Sequence, residues 1–166
     1  MIGFFKAEFG FSPREMTALM GAHALGSAFP ENSGFKGTWT VVDENALNNQ
    51  YYRFLIKDKL WVHKDVSPAP ATKRHWQWDS PELGGFMITS DVVLYKDLKV
   101  DSSGHTTCMS GSKTVSGAPG FSNCPDSPTA SIVRDYAKSN ALWMKDFEKV
   151  FMKMLDHKST NLKPVV

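Results

Sequence analysis

Apolar positions along the chain fall mostly at helical spacing. Between Phe11 and Gly26, the residues Met16, Leu19, Met20 and His23 recur at i, i+3, i+4 and i+7, the stripe of one helix face. Ser12 stands where an N-cap should, Pro13 opens the first turn, and Glu15 completes a Ser-x-x-Glu capping box. Gly26 supplies a stop. The spacing predicts a helix from Pro13 towards Gly26 with a histidine on its buried face. Leu47, Tyr51, Phe54 and Leu55 form a second apolar face between Glu44 and Leu60. Ser127-Pro128 opens a third helix carrying Ile132, Val133, Tyr136 and Ala137. Asn140 caps a fourth, in which Trp143, Phe147, Val150, Phe151, Met154 and Leu155 share a face. Lys145, Glu148, Lys149 and Lys153 read as its solvated side.

The middle of the chain loses this period. His75 to Asp79 and Gly85 to Ile88 read as two short strands around Ser80–Gly84, a small hairpin. Thr89 or Ser90 then opens a short helix through Leu94. From about residue 99 to 126 the chain is rich in Ser, Gly, Thr and Pro and shows no periodicity, so it reads as a long loop insertion. Lys158 to Pro164 reads as a frayed tail. Without internal repeats, the pattern predicts one mainly α domain over residues 1–166, with a minor β-hairpin and an irregular insertion.

Composition narrows this picture only modestly. With 166 residues and 42% hydrophobic content, one domain of ordinary size can bury a core. A net charge of +2 leaves no footprint for nucleic acid or an anionic membrane. No apolar run is long enough to span a bilayer, and the N-terminus lacks the basic region of a signal peptide. Five tryptophans and eight methionines point to a bulky, adaptable interior. Cys108 and Cys124 are too few for a disulfide framework; they pair in an oxidising compartment or stay reduced elsewhere. His23 has two readings on spacing alone. It is a core histidine bonded to a neighbour, or a metal or cofactor ligand in a sheltered site.

MTALMGAHALG, followed by ENSGFKGTW, resembles the proximal-histidine segment of the plant-type haem peroxidase superfamily. The resemblance is to the intracellular branch that contains cytochrome c peroxidase and ascorbate peroxidase. It continues through QWDS and SDVVLYKD and resumes over Ile132–Leu155. It implies a haem-peroxidase-like proximal, C-terminal half-domain. His23 then matches the axial ligand of the iron in haem b. Asp91 matches the carboxylate that hydrogen-bonds the other ring nitrogen, and Trp39 the indole beside the histidine. Such a carboxylate fixes the tautomer and raises the basicity of the ligand.

Departures from the family pattern bear on function. Phe29 stands where a histidine bonds a haem propionate, and Ser27 where a basic residue helps bind substrate. Ala24 follows the axial histidine, and a cation-binding carboxylate is missing near Asn48, so no potassium or calcium site is expected. Ile88-Thr89 replaces Leu-Pro. In the family an N-terminal half carries the distal arginine and histidine, and this chain starts just before the proximal helix. His63, His75, His105 and His157 lie outside any matching context, and His105 with Cys108 gives only a weak zinc pattern. Two functions follow from the resemblance. One is an accessory or structural subunit derived from a peroxidase, inactive as an isolated chain. The other is the haem-binding half of a peroxide-reducing enzyme, completed by another chain or a missing segment. Either needs another protein chain over the exposed proximal face. The family's compartments suggest an intracellular, organellar location, in mitochondrion or chloroplast.

Overall fold

The computed structural model describes residues 1–67, 75–102, 106–110, 113–115 and 121–159. The capping box forms: Glu15 N donates to Ser12 Oγ at 3.2 Å and Ser12 N to Glu15 Oε2 at 2.8 Å. It opens α2 (Pro13–Met20), which ends earlier than its apolar stripe predicts. The reason lies in the carbonyls of its last turn. Tyr52 Oη donates to Thr17 O at 2.6 Å, and Trp143 Nε1 donates to Ala18 O at 3.0 Å. Gly21 N turns to Ala18 and Leu19 instead, and the chain tightens into a 3₁₀ turn at Gly21–Ala24. His23 therefore sits on that turn and not on a continuous α-helix.

Four helices build the core: α2, α4 (Gln50–Leu55), α6 (Ala130–Lys138) and α7 (Asn140–Leu155). Tyr51, Tyr52, Tyr136 and Trp143 are fully buried between them. The Tyr52 ring meets Trp143 edge-on at 5.8 Å and lies tilted against Tyr136 at 5.2 Å. α4 is only six residues long, because Asn48 and Asn49 hold a turn before it. Asn49 Nδ2 also donates to Tyr136 O and Ala137 O, satisfying the end of α6. The cap of α7 is Ser139, whose Oγ accepts from Leu142 N; Asn140 Oδ1 accepts from Asn49 N instead. Lys153 is not a free solvated cation. It pairs with Glu15 at 2.9 Å and donates to Gly10 O.

Periodicity missed three features. The N-terminus is a helix, α1 (Ile2–Phe9), closed by Gly10 at φ 65°; Phe5 and Phe9 stack on Phe11. The hairpin is a three-stranded antiparallel sheet, because β3 (Val62–Asp65) joins β4 (Trp76–Asp79) and β5 (Phe86–Ile88). The insertion at 99–126 is not wholly irregular. β6 (Leu98–Val100), β7 (Thr106–Ser110) and β8 (Lys113–Val115) pair antiparallel. Cys108 of β7 is joined by a disulfide to Cys124, just ahead of α6. Pairing and a covalent link impose this order, so no amphipathic period was needed in the segment. A short ladder of β1 (Ser27–Ala28) with β2 (Gly37–Thr38) flanks α3 (Pro30–Ser33), a single helical turn, and a further turn, α5 (Thr89–Val92), follows β5 directly. The tail beyond residue 159 lies outside the described residues.

Candidate functional site

Asp91 organises the site. It lies in the turn after β5 and is 0% exposed, so its carboxylate must find donors within the protein. Four converge on it, two per oxygen. His23 Nδ1 lies 2.7 Å from Oδ1, and Tyr51 Oη donates to the same oxygen at 2.8 Å. Trp39 Nε1 donates to Oδ2 at 3.0 Å and Ile88 N at 2.9 Å. The structure thus brings His23, Trp39 and Asp91 together from three separate segments. The Trp39 ring stacks on the imidazole with centroids 4.2 Å apart, and Tyr51 meets it edge-on at 6.0 Å.

Sequence reasoning missed Tyr51, placing it only on an apolar face. The available signal was chemical. A tyrosine on a fully buried stripe must bond its hydroxyl to something. Burial, followed by the nearby Asp91 charge, pushes the Tyr51 phenol well above its ordinary value, so it stays a donor.

The carboxylate beside Nδ1 calls for a donor there, so Nδ1 carries a proton, and in the neutral ring the lone pair is on Nε2. His23 is 30% exposed at its side chain, and Nε2 has no hydrogen-bond partner among the described residues. The ring lines a groove of about 350 Å³ together with Ser27, Phe29, Ser33, Phe35, Phe86 and Ile88, among others. One wall is thus aromatic and aliphatic. Phe29 is 54% exposed at this groove. Ser27 Oγ donates to Glu44 Oε2 at 3.2 Å, Ala24 is buried, and Asn48 Oδ1 accepts from Gln50 N. Ile88 supplies its amide to Asp91.

The other histidines stay apart from the groove. His63 is stacked between Trp76 and Trp78. His75 faces Phe35, and its ring fills the space where Gly34 would otherwise carry a Cβ. His157 packs on Phe9. His105 lies outside the described residues, and the zinc pattern with Cys108 is undone because that sulfur is bonded to Cys124. Among the described residues no group of three or more His, Cys, Asp or Glu side chains gathers for a metal ion, and no helix is long and apolar enough to cross a membrane.

Comparison with known proteins bears on this geometry. No protein-family model matches the chain. A mitochondrial cytochrome c peroxidase of Yarrowia lipolytica is 31% identical over 148 residues, covering 89% of this chain and 33% of that protein. A mitochondrial cytochrome c peroxidase of Emericella nidulans is 29% identical over 147 residues, 89% of this chain and 31% of its own length. A Gibberella zeae protein with the provisional name heme-binding peroxidase is also 29% identical, with 35% of its length covered. The chain therefore spans about a third of the length of the curated relatives it matches. The crystal structure of Leishmania major pseudoperoxidase superposes over 99% of this chain and 52% of its own, with a TM-score of 0.63 at 17% identity. That likeness shows the fold. In sequence and in fold the chain is class I peroxidase-like.

Proposed function

We propose that this chain is the proximal, haem-binding part of a peroxidase-like protein, with His23 as the axial ligand. The observation that carries the reading is the His23–Asp91 bond, which leaves Nε2 free at the groove. The donor set fits haem: a neutral imidazole nitrogen, a buried carboxylate on the second nitrogen, and an apolar wall for the ring. Haem, when bound, supplies a redox-active iron. Asp91 holds the Nδ1 proton and orients the ring. Trp39 and Tyr51 fix Asp91 in turn, and Phe29, Phe35, Phe86 and Ile88 give the groove its apolar lining. Titration of the full chain with haemin tests the reading. A saturable Soret band at one equivalent is expected, lost in His23→Ala and restored there by added imidazole. An unchanged band in His23→Ala would refute it.

A second reading, an accessory subunit without peroxide turnover of its own, is favoured by the groove itself. Among the described residues its lining holds no arginine and no second histidine, so nothing there takes a proton from peroxide or faces a developing negative charge. Leu25, Phe29, Val41 and Val42 are large and exposed, which supports a covering partner chain or segment. Stopped-flow mixing of the haem-loaded chain with peroxide separates the readings. Rapid oxidation of the isolated chain would exclude the accessory role. The mitochondrial relatives support an organellar location, and the Cys108–Cys124 disulfide favours an oxidising compartment within it.

A further inference from the structure

A second cavity lies away from His23 and shares no lining residue with its groove. It measures about 350 Å³ and is lined by Arg53, Ile56 and Lys57, by Arg134, Ala137 and Lys138, and by Tyr95. The two triplets have one spacing, Arg-x-x-apolar-Lys, on two packed helical segments. Arg134, Ala137 and Lys138 reach the cavity from one face of α6 at i, i+3 and i+4, whereas α4 ends at Leu55 and the turn after it brings Lys57 to the same cavity as Arg53. Tyr95 is buried between them. The Arg134 guanidinium lies 5.0 Å from its ring centroid and donates to its hydroxyl at 3.4 Å, so the hydroxyl keeps its own proton to donate.

We propose that this cavity binds a small anion carrying phosphoryl groups. Of the four lining cations only Arg134 is ion-paired among the described residues, to Asp126. Buried Lys96 adjoins the site and is held by Asp58 at 3.5 Å and Asp126 at 3.0 Å. Five cations therefore face two carboxylates. The C-termini of the two helices add roughly half a negative charge each, which leaves about two positive charges uncompensated. Compensation of the helix ends accounts for Arg53 and Lys138 in the last turns. It does not account for Lys57 and Arg134 lining the same cavity. The Arg53 guanidinium fork suits the oxygens of a phosphate bidentately, Arg134 adds its charge while held by Asp126, and two ammonium groups add point charges. The volume, near the low end for ligand sites, selects a small molecule, and the convergence on one cavity is unlike the extended stripe that a nucleic acid needs.

Calorimetric titration of the full chain with pyrophosphate tests the proposal, at low salt and again with sodium chloride at matched ionic strength. Saturable one-to-one binding that survives the chloride control is expected. The Lys57→Ala/Lys138→Ala double variant should bind at least tenfold more weakly. Both side chains are exposed, so its thermal melt should match the parent; Arg53→Gln provides a second variant with the same expected direction. Equal affinity in both variants, or loss of all binding in matched chloride, would overturn the site. Co-sedimentation with phosphatidylserine vesicles, without any binding of soluble pyrophosphate, would assign the phosphoryl group to a lipid headgroup and overturn the small-anion site.

Discussion

Replacement of Asp91 by alanine removes the acceptor for four donors at once. They will not suffer equally. His23 is 30% exposed at its side chain and Trp39 is half-buried, so both can recover some hydration. Tyr51 is fully buried and its hydroxyl has no second acceptor, and the Ile88 amide is tied into the same turn. A buried donor left unsatisfied costs about 1–3 kcal/mol, so these two together give about 2–6 kcal/mol. Relief from burying a carboxylate offsets part of this, and breaking buried charged pairs elsewhere gives about 3–5 kcal/mol. In a domain of this size that lowers Tm by roughly 6–20 °C, at about 2–4 °C per kcal/mol. Tyr51→Phe is the internal standard: it deletes one donor and leaves the carboxylate three, so its loss should be near 1 kcal/mol. Thermal melts followed by near-ultraviolet circular dichroism, without haem, give both numbers. Should Asp91→Ala melt no lower than Tyr51→Phe, the carboxylate is not the hub of the site and the reasoning fails.

The disulfide closes a loop of 16 residues, which in the chain-entropy account is worth about 3 kcal/mol; Cys108→Ser/Cys124→Ser should melt lower by that amount, and an unchanged Tm would show the link to be idle. Hydrogen bonds from Arg134, first, and Lys96 hold Asp126 below its ordinary 3.8. Its contribution is therefore fully present above that value and lost as pH falls through the lower folded-state pKa; a carboxyl midpoint by NMR at or above 3.8 would contradict the pairing. Gly21→Ala places a Cβ about 2.6 Å from Trp143 Nε1 and Tyr52 Oη, and overpacking of this kind costs about 1–3 kcal/mol. Gly3→Ala, with nothing within 4 Å, should be neutral or slightly stabilising, and the idea fails if the two variants melt alike.

Local chemistry made some of this legible from sequence. Ser12, Pro13 and Glu15 announce the start of α2 because a capping box is a contact over three residues. The pairing of His23 with Asp91 spans 68 residues, and no periodicity encodes it; only the resemblance of the surrounding motifs to a known family did. Tyr51 escaped because its apolar ring satisfies a helical stripe whether or not its hydroxyl has work. The end of α2 escaped for a related reason. The stripe Met16, Leu19, Met20 and His23 continues, but Tyr52 and Trp143 capture the carbonyls that an α-helix would use. β6, β7 and β8 escaped because their sequence lacks alternation, and their order comes from pairing and a disulfide.

The bond from Trp143 to the Ala18 carbonyl reaches across 125 residues, and it sets a timetable. During synthesis α2 leaves the ribosome well before α7, with its capping box complete and its last turn unfinished. At about 5–20 residues per second, the indole that fastens that turn arrives roughly 6–25 s later. Until then Gly21 lacks its indole wall and the Ala18 carbonyl lacks its Nε1 donor, with only Tyr52 in place, and the turn can bond as an ordinary α-helix would, one that carries the imidazole round to a different bearing. The tightened turn beneath His23 is thus a late product of the nascent chain, and ribosome-stalled intermediates cut before α7 should carry a longer α2 and a histidine without its footing.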